Sequence, residues 1–228
     1  ETIPVGLIIS MESADPILGP HQVEEWWDAG LRSVSLTHFG ANTWGHGTGT
    51  RGGLYPPAYA LMDAMLEVGM VLDVSHAADL ALRQLLDYWK GPVHASHAVC
   101  RALVPGQRHL TDDIIKELAS RDGVIGLVCA EQMLSPDWNW DDASTHYPNA
   151  TRSLSALVEH VDHICQLTGS CRHVAIGSDL DGGYGRELFP IDLDTIADLQ
   201  KLAPILCNRG YSPEDVARIA HGNLIDFF

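Results

Sequence analysis

Four short apolar segments of the chain each end in a side chain that can bind a metal or move a proton. They are residues 3–12, 71–76, 93–97 and 174–179, and they end in Glu12, His76, His97 and Asp179. The carboxyl ends of parallel strands open onto one site when the strands form a barrel. Two imidazoles and a carboxylate suit zinc and leave a coordination position for water. These residue types therefore predict a metal site, and the alternative is that the histidines are ordinary surface or core residues.

The elements that must position these side chains alternate along the chain. Apolar runs predict strands at 5–10, 33–37, 71–74, 93–96, 124–129 and 174–178. Helical patterns lie at 21–29, 58–68, 78–89, 111–120, 153–167, 193–207 and 213–220. In the last pattern, Ser212 is the expected cap and Pro213 the first helical residue. Such alternation favours right-handed crossovers and a largely parallel sheet.

The choice of fold lies between a doubly wound sheet and a TIM-like (β/α)8 barrel. Polar residues at the ends of four strands favour the barrel, because a closed ring brings all its carboxyl ends to one mouth. We therefore expect residues 1–228 to form a single α/β barrel domain of the metal-dependent hydrolase type. Six of the eight strands are visible and the first begins near Glu1, so we expect the chain to be N-terminally incomplete and the missing strands to lie upstream.

Composition narrows the class of partner. The 228 residues include 14 Lys and Arg against 30 Asp and Glu, which gives a formal charge of −16. This charge repels phosphate backbones, so we expect a small substrate and no nucleic acid. The sequence has no apolar run of the roughly 18 to 20 residues that cross a bilayer. The five cysteines form no C-x-x-C pair, which favours reduced cysteines in an intracellular protein. We therefore expect a cytoplasmic protein of bacterial type, and a secreted or membrane-anchored protein is the open alternative. A homodimer is a further open possibility.

Five short motifs, in order and with compatible spacing, resemble the membrane (renal-type) dipeptidase family, which are zinc peptidases of the amidohydrolase superfamily. The motifs are Met11-Glu12-Ser13, Leu36-Thr37-His38, Asp73-Val74-Ser75-His76, Ala95-Ser96-His97 and Gly177-Ser178-Asp179-Leu180-Asp181-Gly182. The resemblance implies a zinc-dependent dipeptidase that acts on dipeptides with a free C-terminal carboxylate, through a hydroxide that bridges two zinc ions.

The resemblance also implies a role for each site residue. Glu12 would bridge the two zinc ions, and His76 and His97 would complete the second. His38 would bind the substrate and stabilise the tetrahedral intermediate. Arg108 would receive the terminal carboxylate of the substrate, and Asp179 would bind substrate and carry protons. For Arg108, a surface salt bridge with a nearby aspartate of the 112–113 pair is an equal alternative.

The chain departs from the family pattern in one respect. The family's first strand carries a His-x-Asp motif that supplies the first zinc, and no such motif precedes Glu12. His160 and Asp162 have this spacing, but they lie in a helical pattern, where we predict a solvated face. We therefore expect the motif to lie upstream of Glu1.

Three further interpretations concern the surroundings and the function. Asp73, inside its strand, is expected to be a buried acceptor that orients a histidine. The glycine-rich segment 47–52 is expected to be a mobile loop over the mouth of the site and not a nucleotide-binding loop. Two alternatives to a dipeptidase stay open: a non-catalytic or single-metal relative that serves as a binding or assembly module, and another amidohydrolase reaction, such as lactone or phosphoester hydrolysis.

Overall fold

A computed structural model describes residues 6–138 and 152–228 of the chain. The chain divides into two compact units, a first unit of Glu1–His94 and a second unit of Ala95–Phe228. Whether they make up the single domain expected from the sequence stays a prediction. Within the described residues, every helix is too short or too polar to cross a bilayer.

The first unit is built on parallel strands that pair in chain order. They are β1 (Ile9–Met11), β2 (Leu31–Ser35), β3 (Val71–Asp73) and the first residues of β4 (Val93–Ala98). The connections contain α1 (Val23–Asp28), which a short 3-10 turn at Pro20–Gln22 precedes, α2 (Pro56–Val68) and α3 (Asp79–Tyr88). Each connection is long enough for the crossover that parallel strands require.

The core of the first unit lies between the strands and one face of α2. That face buries Ala58, Leu61, Met62 and Met65, which recur at helical spacing. The helix begins with two prolines and ends at Gly69, whose φ of 82° is the left-handed conformation that closes many helices. Because β3 follows within two residues of this cap, the cap also sets where the third strand begins.

The second unit continues the parallel pairing. The later residues of β4 pair with β5 (Ile125–Leu127), which pairs with β6 (Val174–Ile176). Its helices are α4 (Asp112–Ser120), α5 (Glu131–Leu134), α6 (Ser155–Thr168), α7 (Leu202–Arg209), α8 (Pro213–Ala217) and α9 (Asn223–Phe227). Its described part also contains short 3-10 segments at Cys171–His173, Arg186–Leu188 and Ile196–Lys201 and a π-helical turn at Arg218–Gly222.

The predicted α/β class with six parallel strands is confirmed. The cap of α8 is confirmed as well, because the Ser212 side chain accepts the backbone N–H of Asp215 and Pro213 is the first helical residue. The prediction missed α5, and it ended the last helix at residue 220 although helical structure continues to Phe227. Its helix at 193–207 begins at Ile196, as a 3-10 segment.

Candidate active site

Three of the predicted site residues come together in the first unit. Glu12 directly follows β1, and His38 and His76 each lie three residues beyond the end of their strands, β2 and β3. Because these strands are neighbours and parallel, their carboxyl ends meet at one edge. One ligand atom from each side chain lies within 4.8 Å of the other two. This Glu12–His38–His76 cluster is a candidate metal centre.

The two carboxylate oxygens of Glu12 face different histidines. Its Oε1 lies 3.0 Å from His76 Nε2, and its Oε2 lies 3.7 Å from His38 Nε2. The two imidazole rings are 4.4 Å apart between centroids. His76 is buried, with 7% of its side chain exposed, whereas Glu12 and His38 are 42% and 44% exposed. The cluster is therefore anchored on one side and open to small molecules on the other.

Thr48 orients the His76 ring. Its Oγ1 lies 3.0 Å from His76 Nδ1 and donates to the His76 carbonyl oxygen at 3.2 Å. A hydroxyl that donates its only proton to the carbonyl can accept the Nδ1–H, and in that tautomer the Nε2 lone pair is available to a cation held between it and Glu12. This is the tautomer that a metal ligand at Nε2 requires.

The segment that carries Thr48 packs onto the backbone of His38. The Thr48 N–H donates to the His38 carbonyl oxygen at 2.9 Å. A Cβ at Gly47 would collide with the same oxygen, so only glycine fits there. The sequence predicted a loop in this region, but the role of Thr48 was missed because nothing local indicates a contact with a ring 28 residues away.

Several residues with an unusual backbone conformation lie at or beside the predicted site residues. Among the described residues, four that are not glycine have positive φ: Ser13 at 71°, His76 at 66°, Asp122 at 54° and Asp179 at 57°. Each left-handed residue costs about 1 to 2 kcal/mol. Such strain concentrates at functional sites, where the surroundings hold it. Three of the four lie at or beside a predicted site residue.

Asp73 supports the turn that presents His76. Asp73 is buried, and its Oδ1 accepts the backbone N–H of Ser75 at 2.9 Å. The expected role as a buried acceptor fits this contact, but the contact acts on the backbone before His76 and not on its ring. The carboxylate therefore favours the tight turn in which His76 takes its positive φ.

His97 and Arg108 lie together in the second unit. The His97 Nδ1 is 2.8 Å from Ser96 Oγ, and its carbonyl oxygen accepts Arg108 Nη2 at 2.7 Å. The two aspartates of the alternative salt bridge have other partners, since Asp112 contacts His163 at 2.8 Å and Asp113 accepts the Thr111 hydroxyl. The role of Arg108 toward a substrate carboxylate and the alternative surface ion pair both stay predictions.

Asp179 begins a turn three residues after β6. Its Oδ2 accepts the hydroxyl of Tyr184 at 2.7 Å. The backbone just before it is tied to the end of β5, because the Cys129 N–H donates to the Ser178 carbonyl oxygen. Burial, together with the nearby charge of Asp179, raises the pKa of the Cys129 thiol to about 12. Cys129 is thus an inert neighbour, and Tyr184 is a contact that the sequence analysis missed.

The prediction that His160 lies on a solvated face is wrong. His160 is 2% exposed, and its Nδ1 accepts the Cys100 backbone N–H at 3.1 Å. Burial, together with nearby positive groups, lowers the pKa of His160 to about 3. Asp162 instead contacts Arg209 and Tyr211, at 2.6 and 2.9 Å. The two residues serve packing in the second unit.

The predicted site residues thus divide between the units. Glu12, His38 and His76 belong to the first, and His97, Arg108 and Asp179 belong to the second. The pairing of His97 with Glu12 and His76 as ligands of one metal stays a prediction.

Comparison with known sequences extends over almost the whole chain. Residues 3–227 match the family model described as membrane dipeptidase (peptidase family M19). An uncharacterised dipeptidase of Schizosaccharomyces pombe is 28% identical over 226 residues, which are 97% of this chain and 52% of the relative. Dipeptidase aclJ of Aspergillus oryzae is 28% identical over 228 residues, 97% of this chain and 50% of the relative. The chain spans about half the length of these curated relatives.

Solved structures have the same fold. A metallopeptidase from Rhodobacter sphaeroides, liganded with a phosphinate mimic of the dipeptide L-Ala-D-Ala, superposes with a TM-score of 0.83 at 23% identity, covering 96% of this chain and 62% of that one. Dipeptidase AC, a metallopeptidase of family M19, gives a TM-score of 0.84 at 23% identity, with 96% and 64% covered. The predicted fold, the TIM-like α/β type of metal-dependent hydrolases, is confirmed.

Proposed function

Because the chain belongs to the membrane dipeptidase family, peptidase family M19, we propose that it hydrolyses dipeptides that carry a free C-terminal carboxylate, with zinc as cofactor. The observation that carries this proposal is the Glu12–His38–His76 cluster, in which a carboxylate and two imidazoles converge within 4.8 Å at the ends of adjacent strands. Curated relatives that bear the name dipeptidase support the reaction class.

The donor set fits zinc. Imidazole nitrogen is a borderline ligand and carboxylate oxygen is a hard ligand, and zinc binds both. The exposed side of the cluster leaves room for water and substrate. Glu12 and His76 would hold a zinc ion with His97, and Glu12 would bridge to a second zinc in a complete site. Bound zinc would acidify a water molecule and polarise the scissile carbonyl. The 3.0 and 3.7 Å contacts from its two oxygens support Glu12 as a residue with two ligand positions.

Two further predicted residues would supply charge stabilisation and proton transfer. His38, half exposed beside Glu12, would donate to the carbonyl oxygen as negative charge develops on it. Asp179 would take a proton from the attacking water and pass it to the leaving amine. The Tyr184 hydroxyl donates a hydrogen bond to Oδ2 of Asp179 and so fixes the direction of the other carboxylate oxygen. Transfer of a proton by Asp179 requires such a fixed direction.

Arg108 would limit the substrate to short peptides with a free C-terminus. A guanidinium matches a carboxylate with two parallel N–H donors, and its charge is retained at every physiological pH. The hydrogen bond from Nη2 to the His97 carbonyl oxygen holds the guanidinium beside a proposed zinc ligand. A cytoplasmic location and a homodimer are further parts of the proposal.

The proposal is tested by hydrolysis of a dipeptide panel by the zinc-loaded protein, alongside a lactone and a phosphoester. We expect turnover of free dipeptides, loss of turnover with a chelator, and recovery on addition of zinc. Hydrolysis of only the lactone or the phosphoester would assign another amidohydrolase reaction. Zinc binding without any turnover would support a non-catalytic relative and contradict the proposal.

A further inference from the structure

The turn that follows Asp179 encloses its carboxylate. Asp179 has a φ of 57°, and its carbonyl oxygen accepts the Gly182 N–H at 3.2 Å. A Cβ at residue 182 would collide with the carboxylate, so the backbone of the turn passes directly beside it. The absence of a side chain at Gly182 is therefore what allows the turn to close on Asp179.

The same turn brings Tyr184 back onto Asp179. The hydroxyl donates to Oδ2 at 2.7 Å, and the ring packs at 5.4 Å between centroids against the buried ring of Phe189. Since the ring is held by Phe189 and the hydroxyl by Asp179, the donor is oriented before any substrate arrives. Preorganisation of this kind is what fixes the direction of a catalytic group.

The phenol remains a donor at physiological pH. Burial raises the pKa of Tyr184 above its usual range, and the hydrogen bond and charge of Asp179 raise it further. Cys129 also raises it, and Arg108 is the one neighbour that acts in the opposite direction. The hydroxyl therefore stays protonated and acts toward Asp179 as a hydrogen-bond donor and not as a base.

We propose that Tyr184 is a positioning residue that holds one oxygen of Asp179 so that the other faces the reacting groups. This inference rests on the proposed function, because it assumes that Asp179 carries protons during hydrolysis. It adds a residue that acts through Asp179 and touches neither substrate nor metal.

The test replaces Tyr184 by Phe in the zinc-loaded protein. We expect kcat for a dipeptide to fall about 10- to 100-fold, the scale on which supporting contacts of this kind act. The acid limb of the kcat/KM profile should move to higher pH, because the ionised carboxylate loses a donor. Zinc content should stay the same. A purely structural role would change the melting temperature and leave the pH profile in place.

Tyr211→Phe is the matched control. The Tyr211 hydroxyl donates to Asp162 Oδ1 at 2.9 Å in the same unit, so the substitution removes the same chemical contact away from the proposed site. We expect its kcat and pH profile to match those of the wild type. A fall in kcat with a moved acid limb in both variants would indicate a general effect of losing a buried phenol and would overturn the proposal.

The remaining outcomes separate this inference from the function. Wild-type turnover with an unchanged kcat and pH profile in Tyr184→Phe would overturn the positioning role and leave the dipeptidase proposal standing. A wild type that turns over no dipeptide would overturn both. If Tyr184→Phe folds poorly, 3-fluorotyrosine at the same position, a more acidic donor, should move the acid limb to lower pH, and an unmoved limb would overturn the role.

Discussion

Histidines of similar burial occupy two different settings in this protein. His76, with 7% of its surface exposed, takes a positive φ at a strand end and has its Nε2 3.0 Å from a half-exposed carboxylate. His160, with 2% exposed, lies within α6 and accepts a backbone N–H. Burial alone therefore does not identify a functional histidine. The setting of His76, a strained turn beside a carboxylate that solvent can reach, is the feature on which its proposed role depends.

Two aspartates, Asp179 and Asp162, likewise occupy different settings. Asp179 follows β6 in a strained turn and has a tyrosine hydroxyl on one oxygen. Asp162 lies in α6 and contacts both Tyr211 and Arg209, so a guanidinium neutralises its charge. The proposed function requires the carboxylate of Asp179 to act on substrate, whereas the carboxylate of Asp162 is paired with Arg209. Matched substitutions in the two settings test this difference.

The largest effect is expected at Asp179. Asp179→Asn keeps the shape of the side chain and removes the base, so kcat should fall about two to four orders of magnitude while bound zinc stays close to the wild type. Asp162→Asn is the control, and it should lower the melting temperature with little change in kcat. Measurements of kcat, zinc content and melting temperature on both variants check this. Near-normal kcat with full zinc in Asp179→Asn would exclude the catalytic role.

A smaller effect is expected at Arg108. Arg108→Ala should lose about 2 to 5 kcal/mol of transition-state stabilisation, measured from kcat/KM, because it leaves the carboxylate of the substrate without its charged partner. Arg209→Ala breaks an exposed ion pair with Asp162 and should leave kcat/KM unchanged. Amidated dipeptides should be poor substrates for the wild type. Equal turnover of free and amidated dipeptides would refute the role of Arg108.

The smallest effect concerns the change in the free energy of unfolding as the pH falls. An unfolded histidine takes up a proton near pH 6.5, and His160 in the folded protein does so only near pH 3. Between these values the unfolded state binds more protons, so the free energy of unfolding falls as the pH falls through this window. His160 alone should account for a loss of about 1 to 2 kcal/mol between pH 7 and pH 5.

His160→Gln measures that contribution. The variant should be less stable than the wild type at pH 7, where the packed neutral ring is lost, but its stability should change less between pH 7 and pH 5. Urea unfolding at both pH values gives the comparison. His109, whose pKa burial also lowers, contributes in the same direction and remains in both proteins. An identical pH dependence in the two proteins would contradict the assignment.

The fold was largely predictable from the sequence, since all six strands come from apolar runs with helical intervals between them. The errors have local causes. The helix α5 has four residues, too few to produce a periodic pattern. The burial of His160 was missed because helical spacing does not tell which polar face meets solvent, and its partner Cys100 lies 60 residues away.

The candidate site was predictable only in part. Strand ends indicated Glu12 and His76, whereas the assignment of His38 depended on a family resemblance. Thr48 and Tyr184 had no signal in the sequence. Their contacts depend on how loops fold back onto a strand end, and neither hydrophobic periodicity nor residue spacing encodes that geometry.

The central claim is that Glu12 and His76, which lie within the Glu12–His38–His76 cluster, hold zinc. Calorimetric titration of the metal-free protein with zinc at pH 7.5 tests it most directly, with His76→Ala beside a control, His163→Ala, whose ring contacts Asp112 in the second unit. We predict saturable binding in the wild type and in the control, and loss of that binding in His76→Ala, because a ligand and its contact with Glu12 are removed. Equal binding in all three proteins, or no binding in the wild type, would contradict the account.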